Sequence, residues 1–219
     1  MTPNYDRAAT AAIETLIKYN INSTPVNPMN IIRQSKNAVI LSFAEMGDSL
    51  GEERKSIMSL FGDRGQDAVA TVHIHEGKVN YIVSYNQRLP FYMLQRALAR
   101  ELGHIILKHD GSLPEDVRMA EAYCFAHHLL CPRPLIKLLQ ATNIRITTEV
   151  LGNLTGCYER CLTNMRRIPE THVPAELNRT VSMNFRDYFQ NFFEFQRIVA
   201  LDDVSAVADF GSFMDGYEE

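Results

Sequence analysis

Apolar residues recur at helical spacing in the first part of the chain. Their intervals of three and four predict an amphipathic helix over the first twenty residues. The segment NINSTPVNP that follows holds two prolines, so we expect an extended connection there. Asn27 then precedes Pro28, and this order is typical of a helix start because Asn caps well and Pro suits the first turn.

A small sheet is predicted between these helices and the second half of the chain. The run AVILSF from Ala38 indicates one strand. From Thr71 apolar and polar residues alternate, and they alternate again in VNYIVSY after Glu76 and Gly77, which together predict a β-hairpin. Residues 47–66 mix charges, glycines and a short apolar stretch, and we expect a variable connection there.

The rest of the chain has the pattern of helices. One amphipathic helix follows Pro90, and a second ends at Pro132 and Pro134, since proline interrupts a helix. A third is predicted over 150–165, and aromatic residues over 185–195 indicate a fourth. Most of these aromatic residues are expected in the core, and a leftover aromatic edge would suit a binding partner.

Composition narrows the class of protein without naming a function. The chain has 219 residues, 46% hydrophobic and 22% charged, with a formal net charge of −4, as in ordinary globular proteins. This mild acidity favours neither membrane nor direct nucleic-acid binding. Four cysteines without a Cys-x-x-Cys pair indicate a reduced protein, and the N-terminus lacks the pattern of a signal peptide. We therefore expect a cytoplasmic protein.

The stretch LARELGHIILKH carries the candidate chemistry. Zinc hydrolases use H-E-x-x-H on a helix, because histidines four apart bind one ion and the Glu activates its water. Here Arg100 stands at the first histidine position, followed by Glu101 and His104. Arginine stays protonated and has no lone pair to donate, so it would repel a metal ion rather than bind it.

The surrounding segments strengthen this partial motif. NINSTPVNP, YNQRLP, ELGHIILKH and EAYCFAHHLLCPRPLI occur in an order and spacing that resemble the ImmA/IrrE-type metallopeptidase family over roughly residues 5–140. The resemblance implies an α+β, zincin-like domain over 1–140, with a small sheet and hairpin packed on helices. A helical C-terminal extension with an acidic tail would occupy 141–219. It also implies a zinc peptidase that cleaves a helix-turn-helix repressor and so derepresses a mobile element or stress genes.

The resemblance also assigns roles to individual positions. Arg100 corresponds to the family's first zinc ligand, Glu101 to its catalytic glutamate and His104 to its second ligand. The third ligand is a glutamate three residues before the Ala of the next helix, which places Met119 there. Glu121 is the candidate if that register is shifted by two, although helix geometry directs it away from the apolar stripe that should face the first helix.

Further positions differ from the family pattern. Arg96-Ala97 replaces the usual Phe/Trp-Thr before the motif, and Tyr123 stands where the family has Asn or Asp. We therefore expect a pseudoenzyme without zinc that binds a helix-turn-helix repressor. An active zinc metalloendopeptidase with an atypical site, in which Glu101 is the base and His104 and Glu121 are ligands, stays open. In the zinc-free case the Arg100 guanidinium would neutralise Glu101 or Glu121.

Rival sites have weaker support. His109 lies five residues after His104, about 140° around a straight helix, so a solvated helix end is expected unless the helix ends near Lys108. The G-x-S-x-G match at Ser49 lacks recognisable partner motifs and is expected to be a polar loop. Other metal-compatible residues are expected to be core or sheet-face positions: His73, His75, Cys124, His127, His128, Cys131, Cys157 and Cys161.

Overall fold

A computed structural model describes residues 1–60, 67–141, 147–156 and 169–202. It is a mixed α+β structure, which confirms the predicted fold class. In chain order the elements are α1 (Tyr5–Lys18), α2 (Pro28–Gln34), β1 (Ala38–Ser42), α3 (Phe43–Leu50), α4 (Arg54–Leu60), β2 (Ala68–His75), β3 (Lys78–Tyr85), α5 (Phe91–Ile106), α6 (Glu115–Leu130), α7 (Arg133–Gln140), α8 (Thr148–Thr155) and α9 (Ala175–Asp202).

The sheet has three strands in the order β1-β3-β2. Strand β1 runs parallel to β3, whereas β2 and β3 form the predicted antiparallel hairpin. Glu76 and Gly77 turn the hairpin with φ of 50° and 72°. Positive φ at both central residues matches the right-handed twist of the two strands. Strand β2 therefore lies at one edge of the sheet, and its outer side is open to other elements.

Capping side chains fix the starts of the first two helices. Asn4 accepts a hydrogen bond from the backbone N–H of Arg7 at the start of α1. Asn27 accepts from Met29 and Asn30, with Pro28 as the first helical residue, as predicted. These side chains satisfy backbone donors that have no partner inside the helix.

The described part of the connection predicted over 47–66 lies largely in two helices. Helix α3 begins at Phe43, directly after β1, and α4 follows it. Ser42 and Glu45 form a capping box, in which each side chain accepts a hydrogen bond from the backbone of the other. This reciprocal cap starts a helix where the apolar pattern alone suggested strand and loop. Gly51, with φ of 69°, ends α3.

The core lies where α1, α5 and α6 meet the sheet. Leu98, Leu102 and Phe125 are fully buried there, in agreement with the predicted apolar stripes. A Cβ added at Gly103 would lie only 3.1 Å from the Phe125 ring, so glycine allows α5 and α6 to approach closely. Helix α6 ends before Pro132 as predicted, but Pro134 lies in the first turn of α7.

The C-terminal elements pack on the same core. Helix α9 buries Val181, Phe185 and Phe189, and the Tyr188 hydroxyl donates to the carbonyl oxygen of Thr24 at 2.9 Å. Helix α8, in the first part of the helix predicted over 150–165, ends at Thr155, where Gly156 adopts a left-handed φ of 65°. The later part of that prediction, with Cys157 and Cys161, lies outside the described residues. The boundary at residue 140 stays a prediction.

Among the described residues, none of the helices has both the length and the apolar composition needed to cross a membrane.

Candidate functional site

Helix α5 presents the motif residues beside the edge strand β2. Arg100 and Glu101 form an ion pair in which Nε and Nη2 of the guanidinium lie 2.8 and 2.7 Å from the same carboxylate oxygen, Oε1. Both side chains are largely buried, with 11% and 7% of their surface exposed. Arg100 is therefore paired with Glu101. The sequence had left either Glu101 or Glu121 as its partner.

The same two side chains also bind the edge of the sheet. Arg100 Nη2 donates to the carbonyl oxygen of Ala68 at 3.0 Å, and Glu101 Oε2 accepts from the N–H of Ala70 at 2.9 Å. Edge strands leave such backbone groups without a strand partner. The ion pair therefore occupies hydrogen-bonding positions along β2 that an added strand would use.

Burial and charge shift the pKa values of this pair in opposite directions. Burial raises the pKa of the Glu101 carboxyl above its usual value, and the charge and hydrogen bonds of Arg100 and the N–H of Ala70 only partly oppose it. Burial alone would lower the pKa of Arg100, but the carboxylate of Glu101 raises it overall. Arg100 therefore stays cationic, and Glu101 depends on it for compensation of its charge.

His104 contacts His109, contrary to the expectation that His109 is a solvated helix end. Helix α5 ends at Ile106, and Lys108 takes a φ of 53°, uncommon for a residue with a side chain. The N–H of His109 then donates to the carbonyl oxygen of His104 at 3.0 Å. This turn brings the Nδ1 atoms of the two imidazoles within 2.9 Å and leaves the His109 side chain 1% exposed.

Glu121 completes a chain with these histidines. Its Oε2 lies 3.0 Å from His109 Nε2, and its Oε1 accepts from the N–H of Asn4 at 2.7 Å. Arg7 approaches the same carboxylate at 3.7 Å and donates to the carbonyl oxygen of Leu107. Glu121 is buried, and its contacts are with the start of α1 and with His109 in the turn after α5.

His104 is held in its neutral form. Burial, together with the charges of His109, Arg100 and Arg118, lowers its pKa to about 4. A neutral imidazole can donate one proton and accept at its other nitrogen. At neutral pH His104 is therefore an uncharged hydrogen-bonding group beside two arginines.

Tyr123 interacts with Arg96 and Arg100, two other positions at which the sequence departs from the family pattern. The Arg96 guanidinium carbon lies 5.4 Å from the centre of the Tyr123 ring, a cation–π distance. Tyr123 also contributes, by hydrogen bonding and charge, to the raised pKa of Arg100. Tyr123 thus interacts with both arginines. Arg96 and Arg100 lie four residues apart on one helix, a spacing that could have suggested a shared partner.

The remaining candidates do not gather into a metal site. Among the residues that the structure describes, no three His, Cys, Asp or Glu side chains are placed to hold one ion. His128 Nε2 is paired with the Thr171 hydroxyl at 3.0 Å, and burial raises the pKa of the Cys124 thiol to about 12. Cys131 is buried too. These positions belong to a second buried face of α6, as the core interpretation expected.

Two further sequence candidates lie on the surface. Ser49 is an exposed residue within α3, and its hydroxyl donates to the carbonyl oxygen of Glu45 at 2.8 Å, so it is not at a sharp turn after a strand. His73 is exposed on β2. Neither contacts the motif residues of α5 through a hydrogen bond within the described chain.

Part of the chain matches a known protein family. The family model described as the IrrE N-terminal-like domain, a peptidase family, matches residues 52–158. The matched segment contains the hairpin, α5 and α6, and with them all the motif residues. Neither the curated proteins nor the solved structures provide a match to the chain.

Proposed function

Because residues 52–158 make this chain a metallopeptidase-like member of the IrrE N-terminal-like family, we propose that it binds a helix-turn-helix transcriptional regulator without cleaving it. The protein would then act as a pseudoenzyme: it keeps the peptidase fold and uses it for recognition. Its setting would be the cytoplasm, in the control of a phage, another mobile element or a stress response.

The ion pair between Arg100 and Glu101 carries this proposal. In a zinc peptidase of this kind the glutamate takes a proton from the metal-bound water, so it must be free to act as a base. Here both carboxylate oxygens of Glu101 are engaged, Oε1 by the guanidinium and Oε2 by the N–H of Ala70. Taking up a proton would break this buried ion pair and leave the guanidinium of Arg100 without its counter-charge.

The donor set does not fit zinc. A stable site needs three or four lone-pair donors that converge on the ion. At the positions implied for the first and third ligands this chain has a guanidinium, Arg100, and a thioether, Met119. The other two candidates, His104 and Glu121, are both hydrogen-bonded to His109, and within the described residues no three such side chains are placed to hold one ion.

The grouping of the sequence departures supports a rebuilt site rather than random decay. Tyr123 interacts with both Arg96 and Arg100, so each replacement has a partner among the others. A buried cation without such partners would be costly. The cluster is consistent with a stable, metal-free arrangement that is maintained for another role.

Occupation of the β2 edge bears on how a partner could bind. An extended peptide adds to a sheet edge through backbone hydrogen bonds. The groups at Ala68 and Ala70 are taken by Arg100 and Glu101. A folded regulator that docks on the surface is therefore a better partner for this site than an extended peptide held for cleavage.

Binding and cleavage can be separated in one experiment. The purified chain is mixed with a helix-turn-helix regulator encoded beside it, with EDTA in one arm and Zn²⁺ in the other. We expect a complex by size-exclusion chromatography in both arms, with the regulator intact on a gel. Cleavage that needs Zn²⁺ and is lost in Glu101→Gln would instead establish the alternative, an active metalloendopeptidase. Absence of a complex in both arms would contradict the proposed partner.

A matched variant controls for charge. Arg88 is an exposed arginine outside α5, so Arg88→Met removes one positive charge without disturbing the motif. It should leave both the complex and the absence of cleavage unchanged.

A further inference from the structure

Two helices of the candidate site are joined by a single imidazole. His104 lies on α5 and Glu121 on α6, and each is hydrogen-bonded to His109, at 2.9 Å through Nδ1 and at 3.0 Å through Nε2. The His104 and His109 rings meet nearly edge to face, with centroids 5.0 Å apart and planes at 70°. Both nitrogens of His109 are therefore used, each toward a different helix.

The same chain reaches the N-terminal helix. Glu121 accepts from the N–H of Asn4 at 2.7 Å through the oxygen that His109 leaves free. Arg7 on α1 lies 3.7 Å from the other oxygen and donates to the carbonyl oxygen of Leu107, at the end of α5. The buried carboxylate of α6 thus meets donors from the start of α1 and from the turn after α5.

We propose that His109 is a built-in cross-link, which joins α5 to α6 by hydrogen bonds, and through Glu121 to the start of α1, as a shared metal ion would by coordination. This inference rests on the proposed function, because it requires that no ion joins these helices. His109 is here a positioning residue: it acts on the fold through His104 and Glu121.

The hydrogen bonds place a proton on one nitrogen of His109. An ionised Glu121 only accepts, so Nε2 of His109 must carry a proton. Nδ1 of His109 faces Nδ1 of His104 and either accepts from it or donates to it, according to whether His109 carries one proton or two. A side chain that merely filled space would not fix the position of this proton.

The tautomers can be read directly in the unmodified protein. Long-range ¹⁵N–¹H correlation spectra at neutral pH should show His109 protonated at Nε2, with this proton protected from exchange. Observation of His109 protonated only at Nδ1 would overturn the proposal. The measurement needs no variant, so it holds even if substitutions at this buried position fail to fold.

A substitution then tests the cross-link itself. His109→Ala removes both hydrogen bonds and leaves a gap of imidazole size, and we expect the Tm to fall by roughly 5–10 °C. Free imidazole at about 50 mM should restore at least half of this loss, because it can refill the gap with the same two nitrogens. The exposed His73→Ala serves as the matched control, with no loss and no restoration.

The outcomes separate the two proposals. A Tm for His109→Ala equal to that of the control, or a loss that imidazole does not reduce, overturns the cross-link and leaves the proposed function standing. One Zn²⁺ bound per chain in the unmodified protein, with a Tm that falls in EDTA, overturns the proposed function and the cross-link together. A Tm that EDTA and Zn²⁺ leave unchanged supports both.

Discussion

Removal of Arg100 should expose how strongly the motif depends on the ion pair. Arg100→Met keeps the length and apolar stem of the side chain but leaves the buried carboxylate of Glu101 without its cation. The arginine makes two contacts of 2.7–2.8 Å with Glu101 and one of 3.0 Å with Ala68. Loss of one partner of such a buried pair costs about 3–5 kcal/mol. We expect about 3 kcal/mol here, because 11% of the arginine side chain already reaches solvent.

A double-mutant cycle isolates the interaction from the loss of packing. Glu101→Gln alone leaves Arg100 without a counter-charge and should also destabilise the fold. The double variant removes both charges. Its loss of unfolding free energy should be smaller than the sum of the two single losses, by a coupling energy of about 2 kcal/mol. Free energies of unfolding come from urea titrations at pH 7, with Arg88→Met as the exposed control. A coupling energy below about 0.5 kcal/mol would refute the argument that the pair is mutually dependent.

Three other predictions address the surroundings of the site. Burial lowers the pKa of His128 to about 3, so the unfolded chain takes up a proton first, and the fold should lose about 2 kcal/mol from this residue as pH falls from 7 to 5. Urea titrations across this range should show a smaller loss in His128→Gln; equal losses would contradict the buried neutral histidine. The Cys124 thiol, with its pKa raised to about 12, should resist iodoacetamide at pH 8 and react in urea, as judged by peptide mass mapping, and labelling of the native protein would contradict its burial. Gly103→Ala should destabilise the fold by about 1–3 kcal/mol, because its Cβ meets Phe125. Gly111→Ala has open space around it and should change the unfolding free energy little; equal effects of the two would refute the packing argument.

Periodicity was sufficient for the elements that bury one regular face. The α5 stripe and the alternation on either side of Glu76 and Gly77 predicted a helix and a hairpin that the structure contains. Helix α3 was missed because its start depends on a reciprocal cap between Ser42 and Glu45, which an apolar pattern does not record. Local polar chemistry, rather than hydrophobic spacing, decides where that strand becomes a helix.

The site was predicted in part. Spacing on α5 placed Arg100 beside Glu101, and the structure contains that pair. The position of His109 was predicted wrongly, because a straight helix was assumed from His104 to His109. In the structure Lys108 takes a positive φ and turns the chain back. Such a turn is uncommon for lysine and is stabilised by contacts distant in sequence, above all with Glu121 on the next helix. Sequence spacing within one helix cannot supply those contacts.

The metal content of the purified chain decides whether this site binds zinc. The chain is purified without chelator, incubated with excess Zn²⁺, freed of unbound ions and measured by mass spectrometry of the elements, beside His104→Ala. We expect well below one zinc per chain in both proteins, because Arg100 repels the ion and the described residues place no three lone-pair donors around one point. One zinc per chain that is lost in His104→Ala would contradict it.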